Sequence, residues 1–387
     1  MERPYQICTR CIMDTTDPEI EFDENGICNH CKRAMLMLQT EPYCLKGPDK
    51  EQALQHLAHR IKIKGVGKKY DCIIGVSGGV DSTYTAYLVK QLGLRPLAVH
   101  LDNGWDSELA VKNIENICKN LGIDLYTYVI DWEEFKDLQV AFLKASTPDS
   151  EIPTDHAILA ILYQKAVQES VQFILSGSNS ASESILPRSW SNGQQDWKYI
   201  KAIQKQFGTK KFKSFPHYDK YRGFYYKHIR GVHWIKFLDY VEYNRKDAKT
   251  IIEQALGWRD YGAKHYESLY TKFFQAYILP TKFGFDKRKA HLSSLICSGQ
   301  VTREQALTLL QEELYPASRL KEDMDYVVKK FGLSLQEFDT IMAVPPKTYW
   351  DYPSYDKSQN IVYYRLLRFL KKLWLRAHPK EFPELFQ

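Results

Sequence analysis

Short apolar runs alternate along the first half of the chain with longer segments whose apolar residues recur at helical spacing. The runs that predict strands are YDCIIGV, RPLAVHL, IDLYTYVI and VQFILSG, and segments such as DSTYTAYLVKQLG and SELAVKNIENICKNLG predict the helices between them. Strands that alternate with helices in this way form βαβ units and a parallel sheet. We therefore predict an α/β fold with a parallel sheet.

The same pattern suggests four parts of the chain. Residues 1–45 read as a small separate module, and residues 46–69 as a linker helix. The parallel-sheet domain is predicted over residues 70–230, and a mainly helical region over residues 231–387. Its clearest predicted helices are REQALTLLQEELY and IVYYRLLRFLKKLWLRA.

The first predicted strand runs directly into Ser77-Gly78-Gly79-Val80-Asp81-Ser82. Ligands of a parallel sheet bind beyond the carboxyl ends of its strands. Glycines let the backbone approach an anion, and the start of the next helix offers free N–H groups. The two serines add hydroxyl donors, and Asp81 could hold Mg²⁺. The loop lacks the lysine of GxxxxGK[ST] and is not a Walker A loop.

The SGGxDS pattern resembles the PP-loop of the ATP pyrophosphatases, which cleave ATP between its α and β phosphates. This resemblance implies that residues 77–82 bind the pyrophosphate part of ATP. It also implies nucleotide contacts from two later strand ends, one carrying His100 and Asp102 and the other carrying Gly177 in SGSN. Taken alone, each of these turns could equally be a solvated loop.

Four of the eight cysteines form two CxxC pairs near the N-terminus. Four thiolates at this spacing predict a tetrahedral structural zinc site, whose ligands would be Cys8, Cys11, Cys28 and Cys31. A module of this size has too small a core to fold alone, so metal binding would stabilise it. The other cysteines, including Cys118 and Cys297, are interpreted as small apolar residues.

Composition and charge narrow the class of protein. The chain has 387 residues, 44% of them apolar, and a net charge of +6. It has no apolar run of membrane-spanning length and no apolar signal segment, so we expect a cytoplasmic protein. Residues 198–230 hold ten Lys or Arg and one acid, Asp219. This basic, aromatic stretch suggests an anionic ligand, a partner protein or nucleic acid, or else a solvated insertion.

Longer motifs carry a more specific resemblance, to the N-acetyl sugar amidotransferases of bacterial surface-polysaccharide and nonulosonic-acid biosynthesis. The motifs are CTRCIMDTTDPEIEFDENGICNHC, PTDHAI, SGSNSASESILPRSW, GWRDYGAKHYES and LPTKFGFDKRKAHLSSLICSGQVTREQA. The family adenylates the acetamido oxygen of a sugar with ATP and Mg²⁺, and ammonia then displaces AMP to leave an acetamidine. The resemblance implies a separate glutaminase similar to that of histidine biosynthesis, sometimes with a cyclase-like barrel subunit.

The late motifs supply further candidate residues. Catalytic roles are predicted for Asp81, Lys264, Lys282 and Arg288, and phosphate binding for Lys287. The candidates for substrate binding are Asp155, Glu183, Arg188, His265 and Glu267. Asp155 could instead cap the helix that follows it.

Two alternatives stay open at this stage. A tRNA-modifying PP-loop enzyme would suit the zinc module and the basic stretch, although thiolating enzymes usually carry a catalytic cysteine or CxxC after the loop and this chain has only isolated cysteines there. That difference favours ammonia as the nucleophile and makes nucleic acid an unlikely partner. A zinc-binding protein with a decayed ATP fold is the second alternative, and the intact Asp81 argues against it.

Overall fold

The computed structural model describes residues 3–262 and 267–357. The strands are β1 (Cys72–Gly75), β2 (Pro96–Asp102), β3 (Asp124–Val129), β4 (Phe173–Ser176) and β5 (His233–Lys236). The helices of the first half are α1 (Asn29–Leu38), α2 (Gly47–Lys64), α3 (Val80–Gln91), α4 (Glu108–Leu121), α5 (Trp132–Ala145), α6 (Ile152–Gln168) and α7 (Ser180–Glu183). Those of the second half are α8 (Trp197–Phe207), α9 (Lys220–Phe224), α10 (Arg245–Leu256), α11 (Leu269–Phe273), α12 (Arg288–Cys297), α13 (Arg303–Leu310), α14 (Ala317–Phe331) and α15 (Leu335–Ala343).

Short segments of other helix types complete the described chain. They are the π-helices Tyr225–Ile229 and Phe274–Phe283 and the 3₁₀ turns Phe237–Tyr240 and Tyr349–Asp351. The predicted C-terminal helix IVYYRLLRFLKKLWLRA lies outside the described residues. Among the described helices, none combines the length and apolar character that a membrane crossing requires.

The five strands form one parallel sheet in the order β3-β2-β1-β4-β5, so the predicted α/β fold is confirmed. The connections run to one side of β1 through β2 and β3, and to its other side through β4 and β5. This reversal opens a crevice at the carboxyl ends of β1 and β4. The sheet continues past residue 230, the boundary predicted from the sequence, because β5 pairs with β4.

The central strands β1, β2 and β4 are buried, and since successive side chains of a strand point to opposite faces, both faces of the sheet are covered there. The edge strands β3 and β5 are more exposed. Ile73 and Ile174 belong to one apolar core, which includes side chains of α5 and α6. Ile74 and Leu175 belong to a second core, with side chains of α3, α4 and α10. The two cores hold β1 and β4 rigidly, and their carboxyl ends are therefore fixed in relation to each other.

The N-terminal cysteine module packs directly against the rest of the protein. Its four buried cysteines belong to the same apolar core as the side chains of α5 and α6. Its helix α1 contacts α12 and α7. The module therefore shares its core with the sheet domain and the helical region.

Candidate functional site

The loop between β1 and α3, which with the start of α3 covers residues 77–82 and is called the phosphate loop below, has the geometry of an anion-binding turn. Gly78 has a φ of +77°, and a Cβ there would stand 2.8 Å from the carbonyl oxygen of Ala110, so the position favours glycine. The Oγ atoms of Ser77 and Ser82 lie 3.3 Å apart across the loop. No side chain caps the start of α3, so the N–H groups of its first turn stay available. These groups fit a phosphate-bearing ligand.

The SGSN turn after β4 packs against this loop. A Cβ on Gly177 would stand 2.9 Å from the carbonyl carbon of Asp81 and from the backbone nitrogen of Ser82. Real Cβ atoms essentially never approach so closely, so the glycine permits the contact between the two strand ends. Gly177 therefore lies beside the loop after β1, and the nucleotide contact predicted for it stays a prediction.

Asp81 is held by two residues that sequence reasoning missed. Tyr243 donates its hydroxyl hydrogen to Oδ1 of Asp81, and Nη1 of Arg245 lies 3.7 Å from the same oxygen. Burial and the Asp81 charge raise the pKa of Tyr243 far above its ordinary value, so the phenol stays protonated and acts as a donor. Arg245 brings a positive charge to the loop, whose own residues 77–82 include no lysine.

The segment after α10 covers the loop from outside. The indole nitrogen of Trp258 donates to the carbonyl oxygen of Gly78 at 2.8 Å. A Cβ on Gly79 would meet the hydroxyl of Tyr261 at 3.0 Å and Oε1 of Glu267 at 3.6 Å. The motif GWRDYGAKHYES therefore adjoins the phosphate loop. Asp81 and Glu267 are the carboxylates at this loop that could hold Mg²⁺.

The end of β2 supplies a buried histidine. Nδ1 of His100 lies 3.0 Å from the carbonyl oxygen of Val76, and Nε2 lies 3.2 Å from Oδ2 of Asp106. Burial alone would lower the pKa of His100, but the Asp106 carboxylate raises it above the ordinary value. Asp102 accepts a hydrogen bond from the backbone nitrogen of Gly104 at 2.9 Å. His100 thus braces the backbone that leads into the phosphate loop, and Asp102 shapes the turn after β2.

Three carboxylates stand at the start of α6, where the sequence showed only the PTDHAI motif. Asp149 and Glu151 are 6% and 9% exposed, and Asp155 is exposed to solvent although many protein atoms surround it. Oε2 of Glu151 accepts a hydrogen bond from Thr271 at 2.6 Å, and its buried Oε1 has no partner within the described residues.

Burial dominates the protonation of this cluster. It raises the pKa of Glu151 to about 8 and that of Asp155 to about 7, and neighbouring carboxylates add to both shifts. Burial also raises the pKa of Asp149. The charge of Lys287 opposes all three shifts, which places this predicted phosphate-binding lysine beside the carboxylates. Groups with such pKa values can exchange protons near neutral pH.

Glu183 connects the carboxylate cluster to the phosphate loop. Its charge acts on Asp155 and also on Tyr243, the residue that binds Asp81. The structure therefore brings together several predicted site residues that are far apart in the sequence. They are Asp81, Gly177, Asp155, Glu183, Glu267 and Lys287.

Other predicted residues are engaged elsewhere. The ammonium group of Lys282 donates to the carbonyl oxygens of Ile341 and Met342 at the end of α15, and burial lowers its pKa to about 8. Arg288 pairs with Asp286 at 2.8 Å and donates to backbone carbonyls at the end of α13. These contacts hold Lys282 and Arg288 at helix ends, and their catalytic roles stay predictions.

Three further candidates complete the comparison with the sequence. Arg188 is exposed and lies 3.5 Å from Asp356 at the surface, so its charge is directed to that pair and not to the carboxylate cluster. Lys264 and His265 lie outside the described residues.

The four cysteines of the N-terminal module form one compact, buried cluster. Their Sγ atoms all lie within 4.8 Å of one another, and no disulfide joins them. Backbone N–H groups point at the sulfurs, for example that of Cys11 at 3.4 Å from Sγ of Cys8 and that of Cys28 at 3.3 Å from the same atom. Such donors stabilise thiolates, and four thiolates at this spacing fit a tetrahedral Zn²⁺.

The fold and loop define an α/β nucleotide-binding domain at a strand-order switch point, and comparisons with known proteins refine this class. A family model described as NAD synthase matches residues 52–151. A second, described as "LPS biosynthesis protein WbpG-like, C-terminal domain", matches residues 267–371. These matches support a PP-loop ATP pyrophosphatase domain in the first half of the chain and a C-terminal region similar to that of a lipopolysaccharide-biosynthesis protein.

Individual relatives match only parts of the chain. It is 38% identical over 74 residues to tRNA(Ile)-lysidine synthase of Chlamydia pneumoniae, covering 19% of this chain and 23% of that protein. It is 42% identical over 77 residues to the glutamine-hydrolyzing GMP synthase of Pyrobaculum aerophilum, covering 20% and 14%. The NH3-dependent NAD synthetase of Campylobacter jejuni matches at a TM-score of 0.27 and 19% identity, covering 34% and 58%. The chain spans less than half the length of the curated relatives it matches.

Proposed function

We propose that this protein is an ATP-dependent amidotransferase that converts the N-acetyl group of a sugar into an acetamidine. The observation that carries the proposal is that residues of the WbpG-like region adjoin the phosphate loop and its carboxylates. Glu267 lies beside Gly79, and the charge of Lys287 acts on Asp155. A region of lipopolysaccharide-biosynthesis type therefore contributes to the nucleotide cleft, which supports a sugar as the second substrate.

The proposed reaction has two steps. The acetamido oxygen attacks the α-phosphorus of ATP, the bond to pyrophosphate breaks, and an O-adenylyl imidate forms. Ammonia then adds to the imidate carbon, the carbon–oxygen bond breaks, and the oxygen leaves on AMP. An amide oxygen is a weak nucleophile, so positioning and neutralisation of phosphate charge must lower the barrier.

The residues around the loop are suited to the first step. Ser77, Ser82 and the start of α3 would hold the pyrophosphate part of ATP. Arg245 would neutralise charge on the phosphates, since its guanidinium already lies beside Asp81. Mg²⁺ bound by Asp81 and Glu267 would supply further neutralisation.

The carboxylate cluster is suited to the second step. Ammonia loses a proton when it adds to the imidate, and a nearby carboxylate can accept it. Asp155 is reachable by solvent, and its pKa of about 7 lets it act as a base at neutral pH. The charges of Asp149 and Glu183 raise that pKa, and the charge of Lys287 lowers it.

The ammonia would come from a separate glutaminase subunit similar to that of histidine biosynthesis, with a cyclase-like barrel protein as a further candidate subunit. The glutamine-hydrolyzing GMP synthase among the relatives supports this type of nitrogen source. Free ammonium salt would replace the partner in an assay.

The test is product formation by the purified protein with Mg-ATP, ammonium chloride and a panel of free and nucleotide-linked N-acetyl sugars. We expect pyrophosphate release that depends on one sugar, and a product in which NH replaces oxygen by mass spectrometry. Heavy oxygen placed in the acetyl carbonyl should appear in AMP. Sugar-dependent turnover that leaves this oxygen in the sugar would refute the adenylation step.

A second candidate function is tRNA modification. Matches to tRNA(Ile)-lysidine synthase and to tRNA-specific 2-thiouridylase favour it, as does the basic stretch over residues 198–230. It predicts tRNA binding that weakens steeply with salt. Pyrophosphate release stimulated by tRNA, and by no sugar, would decide for this function.

A further inference from the structure

Helix α12 lies between the cysteine module and the cleft, and one of its faces binds the module. Lys289 pairs with the carboxylate of Asp14. Oγ of Ser293 accepts a hydrogen bond from the backbone nitrogen of Ile12 at 3.2 Å, and Sγ of Cys297 lies 3.8 Å from Sγ of Cys31. These three α12 residues recur every four positions, so they share one side of the helix.

A different face of α12 holds the segment that follows the SGSN turn. Nδ1 of His291 lies 3.0 Å from the carbonyl oxygen of Ser182. Oγ of Ser294 accepts from the backbone nitrogen of Ile185 at 2.9 Å, and Oγ of Ser298 donates to the carbonyl oxygen of Ala181 at 2.9 Å. Glu183, which acts on Asp155 and Tyr243, belongs to the segment held in this way.

Helix α12 reaches the cleft through Lys287, the residue at its N-terminus. Lys287 stands at the N-terminus of α12, and its charge acts on all three carboxylates at the start of α6. A small shift or rotation of α12 would therefore move Lys287 and the Glu183 segment together. Buried, closely packed helices transmit such shifts because the interior has little free volume.

Two contacts besides α12 tie the module to the same wall of the cleft. Arg303 donates to the backbone carbonyls of Cys8 and Cys11 at 3.2 and 3.1 Å, so it grips the first CxxC turn. Asp17 accepts a hydrogen bond from Ser189 at 2.6 Å, in the segment that follows Glu183. The shape of the cysteine module and the position of the cleft wall are thus joined at several points.

We propose that metal bound by the four cysteines sets the position of α12, so that metal retention and occupancy of the nucleotide cleft are energetically coupled. Lys289 and Ser293 are the positioning residues of this coupling. Because linkage is reciprocal, a cleft ligand must then tighten metal binding by the same factor by which the metal tightens the ligand. The inference rests on the proposed function only in taking the cleft as the Mg-ATP site.

The test measures the zinc affinity of the full-length protein by equilibrium competition with a chromophoric chelator, with and without saturating Mg-ATP. Calorimetry on the same samples records Mg-ATP binding. We expect Mg-ATP to protect the zinc by tightening its binding about five-fold or more, the lower end of ordinary coupling. Ser293→Ala should keep its zinc but lose most of this protection. Thr308→Ala on α13, whose hydroxyl bonds only within its own helix turn to the carbonyl of Glu304, is the matched control and should keep it.

The outcomes separate the two claims. Mg-ATP that binds but leaves the zinc affinity unchanged would overturn the coupling and leave the proposed function standing. Equal protection in Ser293→Ala and the wild-type protein would overturn the route through α12. If calorimetry detects no Mg-ATP binding at all, the proposed function fails, and the coupling falls with it.

Discussion

The contact between Gly177 and the phosphate loop makes a sharp prediction for Gly177→Ala. The new Cβ would stand 2.9 Å from backbone atoms of Asp81 and Ser82, whereas ordinary contact begins at 3.4 Å. Backbone atoms cannot rotate away, so the two turns must separate by about 0.5 Å. A displacement of about 1 Å in a reacting group can cost about a hundred-fold in rate. We therefore expect pyrophosphate release to slow about ten-fold.

Mg-ATP affinity measured by calorimetry gives the same information without knowledge of the sugar, and we expect it to weaken about ten-fold. Overpacking of this kind also costs about 1–3 kcal/mol of stability, which a lower Tm would record. Gly75→Ala is the matched control, because its Cβ would meet Leu162 at an ordinary 3.5 Å. Wild-type affinity in Gly177→Ala, or an equal loss in Gly75→Ala, would refute the reasoning.

Three further predictions concern charge, metal and pH. Asp81→Asn keeps the size of the side chain and its hydrogen bond from Tyr243 but removes the negative charge. Pyrophosphate release at saturating Mg²⁺ should therefore fall at least about a hundred-fold, with little change in Tm. Retained activity would contradict a role of Asp81 in Mg²⁺ binding. Cys28→Ser should lose its bound zinc, measured by elemental analysis, and should have a lower Tm, measured by calorimetry. Cys118→Ser, the control outside the cluster, should keep its zinc and its Tm. Zinc retained by Cys28→Ser would contradict the site. Burial raises the pKa of Glu151 from its ordinary 4.5 to about 8, so the folded protein holds this proton at pH values where the unfolded chain has lost it. The unfolding free energy from denaturant titrations should therefore fall as pH rises from 4.5 to about 8. Glu151→Gln should flatten this slope, and an unchanged slope would show that the carboxyl group is not buried.

The sequence predicted those parts of the fold that a single segment encodes. Each apolar run of the first half became a strand. The runs of β1, β2 and β4 are buried, as strands covered on both faces require, whereas the run of β3 forms a largely exposed edge strand. β5 was missed because it is a four-residue, half-buried edge strand that directly follows the basic, aromatic stretch. Its residues carry no continuous apolar signal, and only pairing with β4 makes them a strand.

The candidate site was predictable where function depends on backbone, and less so where it depends on side-chain direction. The loop at residues 77–82 was predictable from its glycines and from its position after a strand. Tyr243 and Arg245 escaped notice because they reach Asp81 from about 160 residues away, with no motif around them. The carboxylates Asp149 and Glu151 were missed because burial, which perturbs them, is a property of the fold alone.

The basic residues of the block LPTKFGFDKRKAHLSS make two kinds of contact, one that joins helices and one that reaches the carboxylates at the start of α6. Lys282 and Arg288 satisfy carbonyls at helix ends, and Lys289 fixes the cysteine module through Asp14. Lys287 alone of these four acts on the carboxylates at the start of α6. A dense run of cations in the sequence therefore marks a junction between helices as much as a catalytic centre. Within this block, the chemistry that we propose rests on Lys287, whose charge acts on the carboxylates at the start of α6.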